Sequence, residues 1–409
     1  MSRILTPLAF VAIAVAAIAG GWLAETSGAA SDVMGRVFAA LPSGAQDQVE
    51  RVAPQLAEGP MPDAGATADD AGTPDAAASE VVAEGPVPPP PAGLFWGVHL
   101  PDAPFDPTER RDFVEAIGSQ PAIVMWFQEW AGEPGFPVDE ARALAADGIV
   151  PMITWEAWEP PPASPSLSPE DVLSESRQPA YRLSRVVDGE FDDYLRRYAE
   201  QVRDAGVHVM LRPFHEMNGF WYPWGGTVNG NRPADVVAAW RHVHDLFEDV
   251  GATNVTWVWS VNHRSLPERP TNRIASYWPG EAYVDWVGLS GFNFGTTSEV
   301  ASWRSMESVV DDALQELRRY DLPIVLTETA TVHQGGDEGE WISDAFAYLL
   351  EDHPLLDALV WFEREVEGVR DFRLTSSPAA QEAFRDVIDG GAVLGGPRAY
   401  PSPPAGGPS

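Results

Sequence analysis

The sequence predicts an α/β fold that closes into a (β/α)8 TIM barrel. Three observations support this: eight short apolar runs, amphipathic segments between them, and no G-x-G-x-x-G motif after any run, which disfavours a doubly wound open sheet. Nearly continuous apolar runs are typical of parallel strands buried on both faces, and eight strand–helix units form a barrel. The runs are Leu94–Val98, Ala122–Phe127, Ile149–Trp155, Val207–Arg212, Val255–Trp259, Trp286–Leu289, Ile324–Thr327 and Leu359–Phe362.

The segments between the runs have the periodicity of helices that cover a barrel. The clearest one begins at Pro233 and ends before Gly251, because proline favours the first helical position and glycine the position after the last. Its apolar residues recur every three or four positions: Val236, Val237, Trp240, Val243, Phe247 and Val250. We therefore assign residues 92–389 to the barrel.

The sequence on either side of the barrel has a different composition. Residues 1–24 carry one charge, Arg3, and then an apolar run, which predicts a signal peptide or an uncleaved membrane anchor. Residues 25–91 predict a disordered, acidic Pro/Ala/Asp-rich linker, and residues 390–409 predict a disordered Gly/Pro-rich tail. We therefore expect an extracellular barrel, either secreted or tethered to the outer face of the membrane through residues 4–24.

The composition excludes several kinds of chemistry. The chain has no cysteine, so disulfides and thiolate metal sites are excluded, and its 26 basic residues are all arginine, so Schiff-base chemistry is excluded too. A formal net charge of -35 disfavours binding to nucleic acid. His242 and His244 lie two positions apart on a helix, a spacing that does not suit a metal site. We expect no cofactor, no metal and a monomeric protein.

Two glutamates stand where apolar strands end. Glu216 follows the fourth run and Glu328 ends the seventh, and in a barrel of this kind chemistry takes place at the carboxyl ends of the strands. A carboxylate at such a position is costly unless it is paired, solvated or used. Two carboxyl groups that flank a cleft suit glycosidic bond cleavage. Strand alternation also places Arg212 on the same face as Glu216, so we predict that this cation reaches the same site.

Tryptophans near the strand ends support a carbohydrate substrate. The chain has 16 tryptophans, and sugars present C–H faces that stack on aromatic rings. The predicted substrate-binding aromatics are Trp155, Trp221, Trp224 and Trp361, with the two in the Gly-rich loop after the fourth run as the better candidates. His215 is expected to orient the acid or bind a sugar hydroxyl, or else to be a hydrogen-bonded structural histidine. Asn218 either binds substrate or shapes the turn.

Several separated motifs resemble glycoside hydrolase family 26. The stretch Arg212–Gly219, RPFHEMNG, with Trp221 and Trp224 after it, is similar to the acid/base signature of that family. The segments Val187–Tyr194, Tyr283–Gly288 and Asp371–Ser377 match in order, so that the resemblance covers residues 92–389. It implies a retaining hydrolase of β-linked polysaccharides on a (β/α)8 barrel, with Glu216 as the acid/base and Glu328 as the nucleophile.

The resemblance leaves the substrate open and contains one departure. We expect an endo-β-1,4-mannanase; a β-1,3-1,4-glucanase, a β-1,3-xylanase and a non-catalytic glycan-binding relative are the alternatives. The family usually has a tyrosine whose hydroxyl hydrogen-bonds the nucleophile where this chain has Phe292, a ring that can still pack in the site. Phe292→Tyr is therefore expected to raise turnover, unless another side chain, with Arg212 the first suspect, already supplies the donor.

Overall fold

The computed structural model describes residues 83–161, 169–298, 301–351, 356–366 and 370–396. The predicted signal or anchor segment and the predicted linker up to residue 82 lie outside these ranges, as do residues 397–409. Within the described ranges, no helix has both the length and the apolar character needed to cross a bilayer.

Strands and helices alternate along the described chain. The main strands are β1 (Leu94–His99), β2 (Ile123–Glu129), β3 (Val150–Glu156), β4 (Val209–Pro213), β5 (Val255–Asn262), β6 (Trp286–Asn293), β7 (Ile324–Thr331) and β8 (Leu356–Phe362). The α-helices are α1 (Pro107–Ile117), α2 (Val138–Ala146), α3 (Pro169–Glu175), α4 (Leu183–Val187), α5 (Asp192–Ala205), α6 (Pro233–Val250), α7 (Met306–Leu317), α8 (Glu338–Glu351) and α9 (Pro378–Asp389). Short strands follow as β9 (Glu365–Val366), β10 (Arg370–Asp371) and β11 (Val393–Leu394).

The main strands form one closed parallel sheet. They pair in sequence order from β1 to β8, and β8 pairs back onto β1, with Phe95 opposite Ala358 and His99 opposite Phe362. The predicted barrel is therefore confirmed. Helix α6 begins at Pro233 and is followed by Gly251 at φ 78°, as its sequence predicts.

Two apolar layers hold the barrel together. A small cluster inside the barrel takes alternate strand residues, among them Phe95, Met125, Met152 and Val258. A much larger cluster lies between the strands and the helices and takes the intervening residues, such as Trp96 and Trp126. This alternation decides which strand side chains face the barrel axis, and so which ones can reach a site at its carboxyl-terminal mouth.

Residues 83–91 pack against the barrel at the start of its strands. Val87 is fully buried in the inner cluster, its N–H donates to Thr256 Oγ1 (2.7 Å), and its carbonyl accepts from Trp286 Nε1 (2.9 Å). Gly85 N donates to the carbonyl of Thr253, 2.9 Å away. The predicted boundary at residue 92 is therefore too late, because this proline-rich segment finds hydrogen-bond partners at the bottom of the barrel.

We expect a protein truncated to begin at Gly93 to be less stable than one that begins at Ala83. Burial of one valine contributes about 1.5–3 kcal/mol, and loss of the Val87 contacts also leaves Thr256 and the Trp286 indole without partners. The melting temperature should fall by roughly 5–10 °C, as measured by calorimetry. The protein that begins at Ala83 is the control and should match the full chain; equal melting temperatures for all three would contradict this packing.

The chain after α9 also belongs to the barrel. Val393 of β11 is buried and lies opposite Leu94 in a parallel pairing, and Leu94 N donates to the carbonyl of Ala392 (2.9 Å). The predicted tail at 390–409 therefore begins too early, since Val393 and Leu394 pair with Leu94 and Phe95 of β1.

Candidate active site

A strained turn delivers Glu216 to the barrel mouth. Strand β4 ends at Pro213, and both Phe214 (φ 51°) and Glu216 (φ 52°) have left-handed backbone conformations, which are costly for such side chains and cluster at functional sites. Glu216 N donates to the carbonyl of Ser260 at 3.0 Å, which fixes the turn against β5. The charge of Arg212 acts on the Glu216 carboxyl group, and this turn, rather than strand alternation, gives Glu216 its position.

The Glu216 carboxyl group is buried and accepts two hydrogen bonds. Asn262 Nδ2 donates to Oε1 (2.9 Å) and Trp221 Nε1 donates to Oε2 (2.7 Å). Burial and then the charge of Glu328 raise the pKa of Glu216 to about 7, against the opposing effects of Asn262, Arg212 and Trp221. This carboxyl group therefore keeps its proton in mildly acidic solution and can act as a general acid.

The Glu328 carboxylate is paired with a fully buried arginine. Arg212 Nη1 lies 2.6 Å from Glu328 Oε1, and the guanidinium also donates to Thr154 Oγ1 (3.0 Å) and Ser290 Oγ (2.8 Å). Ser290 Oγ lies 3.4 Å from the same Oε1 atom. Within the described residues Oε2 has no hydrogen-bond partner, so one carboxylate oxygen is held and the other is free to react.

An irregularity in the sheet aims Glu328 inward. The pairing of β6 with β7 shifts between Leu289 and Ser290, so that Ser290 lies opposite Glu328. Thr327 also points inward, with its Oγ1 2.8 Å from Ser260 Oγ, whereas regular alternation would place two successive residues on opposite faces. Such bulges re-aim side chains next to active sites.

The other predicted residues of the β4 loop have distinct positions. Trp221 is half-buried beside the Glu216 carboxyl group. His215 is fully buried against the Tyr222 ring (4.5 Å between centroids), and within the described chain neither of its ring nitrogens has a hydrogen-bond partner. Asn218 accepts from Asn262 N (2.8 Å) and donates to Asn262 O (2.9 Å), so it shapes the turn and positions the partner of Glu216.

Trp224 is fully buried and does not face the cleft. Its Nε1 donates to the carbonyl of His215 (2.6 Å), and its ring stacks on Tyr222 with centroids 4.5 Å apart and planes inclined by 11°. The half-buried Tyr222 ring is therefore the one available for stacking, and Trp224 supports it from behind. The prediction that Trp224 contacts substrate directly is wrong.

Trp155 and Trp361 lie in the layer between the barrel and the helices. Trp155 Nε1 donates to Tyr194 Oη (3.1 Å), and Trp361 Nε1 donates to the carbonyl of Phe372 (2.9 Å); both rings are fully buried. Their neighbours in sequence, Thr154 and Val360, face the barrel axis, so alternation turns both tryptophans outward. The prediction that these two residues bind substrate is therefore wrong.

Phe292 lies in an aromatic group at the rim of the barrel. Its half-buried ring packs against Phe294, Phe362 and Phe372, with centroids 5.4–5.6 Å away. Ala330 lies opposite Phe292 in the sheet, while Ser290 lies opposite Glu328. Arg212 and Ser290 already donate hydrogen bonds to Glu328. The condition attached to the Phe292→Tyr prediction is therefore not fulfilled, and we no longer expect this change to raise turnover.

Three residues of the site were not predicted from the sequence. Asn262 ends β5 and donates to Glu216, Tyr222 covers His215, and Glu156 ends β3 with its carboxyl group buried near His215. Glu156 carries the same signal that identified the other two glutamates, a carboxylate directly after an apolar run. Asn262 could have been found from the polar alternation of Ser260 and Asn262 at the end of their strand.

Comparison with known proteins identifies the family. Residues 151–318 match the family model described as glycosyl hydrolase family 26, and the chain is 32% identical over 303 residues to Endoglucanase H of Acetivibrio thermocellus. The chain belongs to this family. That match covers 73% of this chain and 31% of the relative. A mannan endo-1,4-beta-mannosidase of Bacillus subtilis is 28% identical over 220 residues, which cover 49% of this chain and 58% of the relative.

More distant proteins match the chain in sequence or in fold. The beta-1,3-xylanase TXYA of a Vibrio species is 23% identical over 270 residues, covering 62% of this chain and 54% of that protein. The structure of the Bacteroides ovatus β-mannanase BoMan26A superimposes with a TM-score of 0.53 at 18% identity, over 75% of this chain and 91% of that chain. The chain spans less than two thirds of the length of the three curated relatives described above.

Proposed function

We propose that this protein is a retaining endo-β-glycosidase that acts on a polysaccharide outside the cytoplasm. One observation supports it above all: two buried glutamates at the barrel mouth differ in their partners. Burial and the charge of Glu328 raise the pKa of Glu216 to about 7, whereas Arg212 binds Glu328 at 2.6 Å. A protonated acid and an ionised nucleophile are the two states that double displacement requires.

In the first step, Glu328 Oε2 attacks the anomeric carbon while Glu216 transfers its proton to the glycosidic oxygen. The bond to the leaving sugar breaks, and the remaining sugar forms an ester with Glu328. The ester is neutral, so the charge that helps to raise the pKa of Glu216 is removed. Glu216, now ionised, is then suited to take a proton from water as that water attacks the anomeric carbon and releases Glu328.

We propose β-glucan as the first substrate to test and β-1,4-mannan as the second. The match to Endoglucanase H has a higher sequence identity (32% against 28%) and covers a larger share of this chain (73% against 49%) than the match to the Bacillus subtilis mannosidase described above. Mannan remains a candidate because relatives named for it match as well. A purely glycan-binding role is disfavoured, since binding alone requires neither the paired nucleophile nor the protonated acid.

The test is a reducing-sugar assay on mixed-linkage β-glucan, carboxymethyl cellulose, galactomannan and β-1,3-xylan. Highest activity on either glucan supports the proposal, highest activity on galactomannan supports the second candidate, and no activity on any of them overturns it. Nuclear magnetic resonance of the first-formed anomer tests retention, which requires carboxyl groups about 5–5.5 Å apart. An inverted first product would contradict the double displacement.

We expect activity to fall as the pH rises through about 7, because Glu216 must be protonated to act as the acid. Glu216→Ala should slow polysaccharide hydrolysis by roughly 10²–10⁴, but should slow cleavage of aryl glycosides with good leaving groups much less. The measurement is kcat/KM on both substrate types from pH 4 to 9. Glu159→Ala, an exposed glutamate, is the control. Equal losses on the two substrate types would argue against the assigned role.

A further inference from the structure

A segment outside the barrel strands is fastened to the turn that carries the acid/base candidate. Residues 263–280 follow β5, and within them Asn272 is fully buried. Its side chain donates from Nδ2 to the carbonyl of Asn218 (3.0 Å) and to that of Pro267 (2.9 Å). Its Oδ1 atom accepts a hydrogen bond from the Tyr277 hydroxyl group. Both the nitrogen and the oxygen of the Asn272 amide are therefore in use, and none of its three partners is a catalytic candidate.

Two further contacts join this segment to the β4 loop. The carbonyl of Asn218 also accepts from Leu266 N (2.9 Å), so that the segment donates to it twice. The Tyr277 ring packs on Gly226, where a Cβ atom would lie 2.5 Å from the ring. The segment therefore holds the loop that follows Glu216 at two separate points.

Asn218 connects this segment to the hydrogen-bond partner of Glu216. Its Oδ1 accepts from Asn262 N (2.8 Å) and its Nδ2 donates to Asn262 O (2.9 Å), which fixes Asn262 at the end of β5. Asn262 Oδ1 accepts from Arg264 N (3.0 Å), so its Nδ2 is the amide atom that faces Glu216 Oε1, 2.9 Å away. The three asparagines thus form one hydrogen-bonded series from Asn272 through Asn218 and Asn262 to Glu216.

We propose that Asn272 is a positioning residue for the general acid. It locks residues 263–280 onto the β4 loop, and so keeps the amide of Asn262 aimed at the carboxyl group of Glu216. Asn272 itself is fully buried and acts only through Asn218 and Asn262. The inference rests on the proposed function, because the acid role of Glu216 is assigned there.

The series stabilises the ionised form of Glu216. Burial and then the charge of Glu328 raise the pKa of Glu216 to about 7, and the hydrogen bond from Asn262 is the strongest of the effects that oppose this rise. Without Asn272, residues 263–280 lose a contact with Asn218, and the amide of Asn262 loses its fixed direction. The ionised form of Glu216 then loses part of a hydrogen bond, so that its pKa rises and it becomes a weaker acid toward the glycosidic oxygen.

The experiment compares Asn272→Ala with Asn254→Ala. Asn254 is also buried and also donates from Nδ2 to two carbonyls, those of Val202 (2.8 Å) and Val207 (2.7 Å), but it precedes the first residue of β5, at the opposite end of that strand from the site. Both changes should lower the melting temperature by similar amounts. Only Asn272→Ala should raise the pKa of Glu216, by about one pH unit, in a carbon-13 nuclear magnetic resonance titration of its carboxyl group.

Enzyme kinetics supply a second readout that a loss of stability alone does not change. Asn272→Ala should lower kcat/KM about tenfold for glycosides with poor leaving groups and less than about threefold for aryl glycosides with good ones, because only the former need the acid. The kcat/KM of this variant should also persist to higher pH than that of the wild type, since Glu216 keeps its proton to higher pH. Asn254→Ala should match the wild type in both respects.

Tyr277→Phe removes only the hydroxyl group that fixes the Asn272 amide, and it decides the question if Asn272→Ala does not fold. It should give the same pattern, with a loss of about threefold on poor leaving groups. The inference is overturned if the variants that fold lose the same factor on both substrate types, if the pKa of Glu216 does not rise, or if Asn254→Ala raises it as far. A wild-type protein that cleaves no glycoside overturns the proposed function instead, and the titration of Glu216 then still tests its link to Asn272.

Discussion

Glu328→Ala is expected to slow the cleavage of every substrate by roughly 10⁴–10⁶, the largest loss of any single change in this protein. The alanine removes the atom that attacks the anomeric carbon and leaves the buried guanidinium of Arg212 without its carboxylate, 2.6 Å away in the native protein. Because the lost step is the attack itself, the loss should be similar for polysaccharides and for activated aryl glycosides. Glu216→Ala, which removes only the proton donor, should not show this uniform loss.

Chemical rescue provides the decisive measurement. Azide is small enough to enter the space left by the Glu328 carboxylate, is attracted by Arg212, and should restore cleavage of aryl β-glycosides while forming the α-glycosyl azide. Glu159→Ala again serves as the control and should keep wild-type rates without azide. The role of Glu328 would be contradicted if the Glu328→Ala protein kept more than about one hundredth of the wild-type activity, or if the product were the β-glycosyl azide.

The barrel strands were predictable because each is buried on both faces. A parallel strand in a closed barrel contacts the inner cluster on one side and the helices on the other, so that its sequence is almost continuously apolar. The ends of the domain were not predictable in the same way. Residues 83–91 look like linker, and Val87 is buried only because the open bottom of the barrel lies next to it.

The two central glutamates were predictable for a related reason: a carboxylate directly after an apolar strand is conspicuous. The sequence did not show which residues of the neighbouring strands face the same site as these glutamates. Trp155 and Thr154 differ by one position, and only the register of β3 against β4 shows that Thr154, opposite Arg212, faces the site. The β6–β7 irregularity that aims Glu328 inward has no signal in the sequence.

The neighbours of the catalytic candidates depend on contacts between distant segments. Asn218 fixes Asn262 through two backbone hydrogen bonds, and Asn262 then holds Glu216, although 44 and 46 positions of sequence separate these partners. Trp224 supports Tyr222 from behind rather than meeting the sugar. Residue types near a strand end therefore identify a site, whereas the direct and supporting roles within it are decided by packing.

Arg212→Met is expected to lower kcat by roughly 10²–10³ and to destabilise the fold by about 3–5 kcal/mol, because breaking a buried ion pair leaves an uncompensated charge. Methionine fills much of the volume but donates no hydrogen bond, so Thr154 and Ser290 lose their contacts with the guanidinium too. Of the two side chains that contact Glu328 Oε1, only Ser290 then remains, with its Oγ 3.4 Å away.

Two further variants sharpen this prediction. Arg212→Lys keeps the charge but cannot reach Glu328, Thr154 and Ser290 with a planar fork, so its losses in kcat and stability should lie between those of Met and the wild type. Arg110→Met removes an arginine from a partly exposed pair with Asp147 and should cost no more than about 1 kcal/mol, with no change in kcat. Steady-state kinetics and thermal unfolding of the three variants measure these changes in kcat and in stability. If Arg212→Met turns over within tenfold of the wild type, the guanidinium is dispensable for the nucleophile, and Ser290 must be what holds Glu328 toward the sugar.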